Sequence, residues 1–289
     1  TSTNPAQKGL NFLGKRAIYY LVTSLLRIEG VPEIKVADAS VVPDSGLVII
    51  EGEAKMHQLT KATIYADTTT KQHKILNATV DIFSKAELKG FGELPYETKG
   101  IKQIIALSDV STRRSTTGKK RKEEESWKLI ARAQIDSSKN FVLYPEVKFH
   151  GDMTLTSVRP LLNFKGYAKV GFKHPLAYST DFLIEQDVDP KELALQFDTS
   201  KNSAGAKVMA GIILHQSDEQ NKMYTALMAP KIENKDNALF KTLGIITQNS
   251  AGEYLMGNEK KIKENALRGN LLRYDDKKGI AKAEGKFSL

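Results

Sequence analysis

The sequence predicts a mostly-β chain in which short strands and hairpins follow one another in a stacked or repeating arrangement, with one or two short helices. Three observations point there. Over residues 147–172 apolar and polar residues alternate almost without error in two consecutive runs. Over residues 31–94 a unit of alanine, any residue and a large aliphatic recurs, and turn-forming clusters separate the alternating runs at close spacing. A period of two marks a strand with one wet face and one dry face.

Composition bounds the rest. At 289 residues, 40% hydrophobic and 8% aromatic, the chain is long enough to bury a sizeable core. It has no cysteine, which excludes disulfides, thiolate metal sites and a cysteine nucleophile together. Forty-three basic residues against 34 acidic ones leave a charge of +9, a balance that attracts nucleic acid, anionic lipid or acidic polysaccharide. No run approaches the roughly 18 apolar residues of a membrane helix; the longest candidate, residues 17–26, is interrupted by Thr23 and Ser24. The chain starts Thr1-Ser2-Thr3 with neither an initiator methionine nor a signal peptide, and it finishes on an alternating strand. It therefore reads as a segment of a longer protein.

Taken in order, residues 1–14 are polar and form a lead-in, and residues 16–28 read as apolar strand material with both faces covered, a helix being the competing reading. Residues 1–30 make up this first segment. Residues 31–110 form a β-repeat region built on Ala39-Ser40-Val41, Ala54-Lys55-Met56, Ala62-Thr63-Ile64 and Ala78-Thr79-Val80. Both members of each pair point the same way on a strand, so small beside large fills a narrow core. Residues 111–126 are a charged insertion, a hairpin tip that interrupts a sheet without ending it. Residues 127–289 are a hairpin-rich region continuous with that sheet. Within it Trp127, Leu129, Ala131, Ala133 and Ile135 resume strict alternation, and hairpins turn near residues 217–221, 249–252 and 275–279. Two short helices are allowed, one after Asp189-Pro190-Lys191-Glu192 and one over residues 237–243.

The run Ile34-Lys35-Val36-Ala37-Asp38-Ala39, the strand-turn-strand over residues 41–50, and Ile75-Leu76-Asn77-Ala78-Thr79-Val80-Asp81-Ile82 with Gly90-Phe91-Gly92 carry a resemblance. Over roughly residues 30–110 the chain resembles the β-jellyroll or taco repeats of the OstA-like, lipopolysaccharide-transport family, and repeats in long Gram-negative envelope proteins. The resemblance implies an elongated β-repeat fold, a periplasmic or outer-membrane-associated location, a non-catalytic role, and an apolar trough that holds lipid acyl chains. Phe149, Met153, Phe164 and Ala168, on the dry face of the alternating pair, are the candidate lining of such a trough. Lipid, lipopolysaccharide or other envelope proteins would be the partners.

Chemistry is sparse in the linear pattern. The histidines, His57, His73, His150, His174 and His215, have no partner at metal-ligand spacing, and each reads as a solvent-facing strand or loop residue. Asp181 and Glu185 flank a strand without forming a motif, and Gly90-Phe91-Gly92 reads as a bulge or a close strand approach. No enzyme activity and no cofactor is expected. Arg113, Arg114, Lys119, Lys120, Arg121 and Lys122 are the candidate polyanion contacts, though the run lacks the interleaved aromatics of a nucleic-acid binder, so nucleic acid is not the expected partner. Tyr144 and Tyr167 read as exposed aromatics able to serve a sugar- or lipid-facing platform. The leading expectation is a non-enzymatic envelope scaffold or lipid conduit; the rivals are a carbohydrate-binding or carbohydrate-active β protein and a polyanion-binding adaptor.

Overall fold

Residues 34–42 show how the repeat region folds. Two strands, β3 and β4, pair Val36 with Ala39 across the two-residue turn Ala37-Asp38, in which Ala37 takes a left-handed φ of 54°. In the computed structural model, strand accounts for 58% of the residues and helix for 6%, so the chain is mostly β. The structure describes residues 1–115, 126–175, 177–216, 221–232 and 235–288.

In chain order the strands begin with β1 (Arg16–Tyr20), β2 (Leu25–Glu29), β3 (Ile34–Val36), β4 (Ala39–Val42), β5 (Val48–Ile50), β6 (Leu59–Ala66), β7 (His73–Ile82) and β8 (Leu88–Thr98). They continue with β9 (Ile101–Ser115), β10 (Ser126–Ile135), β11 (Val142–Tyr144), β12 (Val147–Thr156), β13 (Leu162–Val170), β14 (Ala177–Tyr178), β15 (Asp181–Val188) and β16 (Ala194–Gln196). The last are β17 (Met209–Gln216), β18 (Asn221–Ala229), β19 (Asp236–Thr242), β20 (Ile245–Gln248), β21 (Tyr254–Gly257), β22 (Leu271–Asp275) and β23 (Ile280–Glu284), with the α-helix α1 (Glu259–Glu264) between β21 and β22. The largest sheet runs β15-β13-β12-β10-β9-β8-β7-β6-β4-β3, with β11 beside β12. Six of the nine neighbouring pairs along this path are also sequence neighbours, as expected when short turns join antiparallel strands, and the other three each skip one strand. The smaller sheets are β1-β2-β5, β14-β18-β17-β19 and β16-β20-β21-β22-β23.

The chain divides into two compact units. The first comprises Thr1–Tyr96, Lys102–Gln134 and Met153–Leu162. Its core sorts the alanine-x-aliphatic unit into rungs: Ala39 faces Ala66, Ala62 faces Ala78, and Val41, Ile64 and Ile75 form a large rung between them. All of these side chains are fully buried. The fourth occurrence of the unit departs from this, because Ala54 ends a single 3-10 turn at a left-handed φ of 63° and only Met56 is buried. In β8 a Cβ on Gly90 would lie 2.1 Å from the Thr79 carbonyl oxygen, so the glycine permits a close strand approach, and β7 and β8 shift register just beyond it, between Thr79 and Leu76.

The second unit comprises Glu97–Ile101, Ile135–Asp152 and Asn163–Leu289. Met209, Ile213, Tyr224, Ala226 and Ala229 form the core of the β17-β18-β19 layer. Phe172 packs edge-on against Tyr254 and Tyr274, at 5.0 and 5.6 Å between ring centroids.

Several expectations are corrected here. Residues 16–28 are a hairpin, with Ser24 at a left-handed φ of 51° in its turn, and its strand β1 is exposed on both faces. Asp189 does accept a hydrogen bond from the Lys191 amide, but the chain leaves that turn as β16, because Leu193, Leu195 and Phe197 alternate with more exposed residues and β16 pairs with β20. Residues 236–242 are strand β19 paired with β17, so tertiary pairing overrides the capping pattern. The helix that forms is capped by Asn258, whose side-chain oxygen accepts from the Lys260 and Lys261 amides. Of the charged insertion, residues 111–115 continue β9 and Ser126 opens β10, paired as Ser115 with Ser126.

Candidate functional site

The proposed trough residues come first. Strands β12 and β13 keep the alternation read from the sequence, and Phe149, Met153, Phe164 and Ala168 all lie on its buried face. Their exposure is 2% or less. Phe164 stacks on Phe141 at 6.1 Å and meets Phe149 edge-on at 5.2 Å. These side chains are filled core and do not line an open trough; aromatic rings occupy the space an acyl chain would need. The wet face of β13 carries Lys165, paired with Glu185 at 2.9 Å, and Asn163, which donates to Asp187. His150 stacks on Tyr167 at 5.6 Å there, whereas Tyr144 is only 8% exposed and offers no platform.

The basic candidates divide. Lys119, Lys120, Arg121 and Lys122 lie outside the described residues. Arg113 and Arg114 are exposed near the end of β9, opposite Lys128 and Trp127 on β10. A depression of about 460 Å³ beside them is lined by Lys8, Lys85, Trp127, Lys128 and Asp38, and the Lys8 ammonium lies 4.9 Å from the Trp127 ring centroid. The aromatic that the basic run lacks in sequence is thus supplied across the hairpin. The strand register brings Trp127 opposite Arg114 across residues 115–126. Asp38, in the β3–β4 turn, does not simply neutralise this patch. Its carboxylate accepts from the Leu129 amide at 2.8 Å and the Ser157 hydroxyl at 2.6 Å, with the Lys128 ammonium at 3.4 Å. It fastens that turn to β10 and to the segment after β12.

The histidines are not all solvent-facing. His73 is buried and bonds the Arg159 carbonyl at 2.7 Å; His57 sits 3.3 Å from Glu51. His215 is the one that meets an acid in the interior. Its Nδ1 is 2.8 Å from Asp236, whose other carboxylate oxygen accepts from the Tyr224 hydroxyl at 2.5 Å. Tyr224 oxygen in turn accepts from the Ile232 amide, and the Lys231 ammonium donates to the Asp236 carbonyl. Asp236 is 1% exposed. Burial first, then the Asp236 carboxylate, pushes the Tyr224 phenol up to about 12. The arrangement holds an imidazole in one orientation, as a catalytic His–acid pair does, but with both carboxylate oxygens engaged it locks three strands together and ties Lys231 and Ile232 to them. Sequence spacing gave no sign of it: residues 215, 224 and 236 meet only because β17, β18 and β19 pair antiparallel. Asp181 and Glu185 do not form a pair, Glu185 being engaged by Lys165. Among the described residues no cluster of three or more His, Asp or Glu side chains has metal-ligand geometry. Comparison with family models, curated proteins and solved structures gave no match.

Proposed function

We propose that this chain is a non-catalytic β scaffold of a bacterial envelope protein, periplasmic or outer-membrane associated. The observation that carries the reading is the filled dry face of β12 and β13: Phe141, Phe149 and Phe164 pack ring against ring there, so the face serves cohesion and not transport. The buried Asp236 group supports the same reading, since its hydrogen bonds tie strand to strand. Envelope location rests on the resemblance of residues 30–110 to OstA-like repeats. The discriminating experiment is displacement of a fluorescent acyl probe by lipid. A scaffold takes up no probe; saturable uptake abolished by enlarging Ala168 would replace this reading with the conduit.

A second reading is favoured by one observation, the pairing of Trp127 with Arg114 beside Lys8, Lys85 and Lys128. An aromatic ring amid cations suits an acidic polymer such as an anionic polysaccharide. Salt-sensitive binding of a sulfated polysaccharide, lost in Trp127→Ala, would promote it; equal binding by wild type and variant would remove it.

A further inference from the structure

Far from those sites in character is the β1–β2 hairpin. Between Ile18 and Leu26 every residue but Thr23 and Ser24 is apolar or aromatic, yet the hairpin lies open to solvent. Leu21 is 82% exposed and Val22 99%, with Tyr19 at 55% and Tyr20 at 46%. Isolated exposed apolar residues need no explanation, but four consecutive ones at a protruding tip do. Strand β5 backs β2 only as far as Leu26, so the last rung, Tyr20–Leu25, and the turn beyond it project past the three-stranded sheet.

The order of side chains along the hairpin says what would cover it. The turn beyond the Tyr20–Leu25 rung is Leu21-Val22-Thr23-Ser24, so Leu21 and Val22 make the apolar half of the tip. Tyr20 and Tyr19 follow on the next two rungs, and because neighbouring residues of a strand point to opposite faces they flank the hairpin on both sides. Arg27 lies on the rung behind them, ion-paired with the single acid Glu29 at 3.0 Å, with Arg16 and Lys15 further back, so the base keeps a net positive charge. At about 3.3 Å per rung, Arg27 sits roughly 7 Å and Arg16 roughly 13 Å behind the Tyr20–Leu25 rung. That sequence of apolar tip, aromatic belt and cationic base follows the depth profile of a bilayer leaflet: acyl chains, interface, phosphate headgroups. Interfacial insertion typically reaches about 5–10 Å, which would carry the tip and both tyrosines into the leaflet and bring Arg27 level with the phosphates.

We propose that the β1–β2 hairpin is a membrane-docking element that inserts Leu21 and Val22 into an anionic phospholipid leaflet. The inference stands apart from the scaffold reading, because it concerns a different surface and survives if that reading fails. No helix among the described residues is long and apolar enough to cross a membrane, and none is needed for a monotopic contact.

The test is flotation of the protein with vesicles of phosphatidylcholine alone and of phosphatidylcholine with phosphatidylglycerol. Wild type is expected to float with the anionic vesicles and weakly with the neutral ones. Leu21→Ser with Val22→Ser changes no charge and touches no buried side chain, and it should lower partitioning about a hundredfold or more while leaving thermal unfolding unchanged. Arg16→Gln with Arg27→Gln should erase the preference for anionic vesicles while leaving residual binding. Wild type that stays in solution with every vesicle overturns the proposal. So does a serine variant that floats as well as wild type, since the attraction would then come from charge elsewhere. Self-association without lipid, abolished by the same serine substitutions, would also overturn it by making the tip a contact between copies.

Discussion

Gly151 and Gly166 pack backbone to backbone on neighbouring strands: a Cβ on Gly151 would lie 2.6 Å from the Gly166 Cα, and one on Gly166 would lie 2.7 Å from the Gly151 Cα. Gly166 has Phe149 beside it as well, its ring edge 3.0 Å from the same position. The two glycines let β12 and β13 close over the aromatic cluster. Gly166→Val is therefore expected to destabilise the fold by about 1–3 kcal/mol through overpacking. Urea unfolding measures it, and an unchanged midpoint would mean that the strands are further apart than described.

Phe164 and Lys165 make a matched pair of probes one residue apart. Phe164 is fully buried between two aromatic rings, and Phe164→Ala should cost about 3–5 kcal/mol. Lys165 is more than half exposed and pairs with an equally exposed Glu185, so Lys165→Ala should stay within roughly ±0.5 kcal/mol. Similar losses in chemical denaturation would contradict the assignment of wet and dry faces.

Alkaline pH should act through three tyrosines. Burial is the first cause of the upward shift at Tyr224, Tyr254 and Tyr274, each held up at about 12 from an ordinary value of 10.0. A phenol whose pKa is raised on folding stabilises the native state fully below its unfolded value, and that contribution is lost as pH rises through the folded value. Stability should accordingly decline between about pH 10 and 12, with these phenols ionising after the exposed ones in an ultraviolet titration. In Asp236→Asn, Tyr224 should ionise earlier than in wild type yet later than an exposed tyrosine, because desolvation outweighs the carboxylate. Ionisation of all ten tyrosines in one step near pH 10 would refute this.

The charged insertion separates into paired arms and the span between them. Since Ser115 pairs with Ser126, replacing residues 116–125 by Asn-Gly closes the same rung with a two-residue turn. Stability should change by about 1 kcal/mol or less. Replacing residues 111–126 instead removes Thr112, whose hydroxyl accepts from the buried Leu88 amide, and should cost about 1–3 kcal/mol. Equal tolerance of both replacements would show that the arms contribute nothing.

In its cleanly alternating runs the amino-acid sequence by itself determined where the chain is strand and which face of the strand is dry. Residues 127–135, 147–156 and 162–170 alternate in sequence and alternate in burial, because a pleated strand projects successive side chains to opposite faces whatever it pairs with. The alanine-x-aliphatic unit likewise reports the buried face at Ala39, Ala62 and Ala78 from local pattern alone. Strand partners are a different matter. The capping signal at Asp236 is locally sound for a helix, but pairing with β17 and the bonds to His215 and Tyr224 outweigh a preference of a few tenths of a kcal/mol per residue, on the order of helix propensities. Trp127 sits opposite Arg114 only through the register of β9 with β10, and Asp38 bonds Ser157 and His215 bonds Asp236 only because segments apart in sequence are brought side by side. Whether an apolar run is covered is equally a tertiary matter. Phe164 and Leu21 are both large apolar residues in strand-forming stretches, yet Phe164 is closed in by rings from two other segments while Leu21 sits on a turn beyond the reach of β5. Burial depends on what the rest of the chain brings alongside, and a one-dimensional pattern carries no record of that.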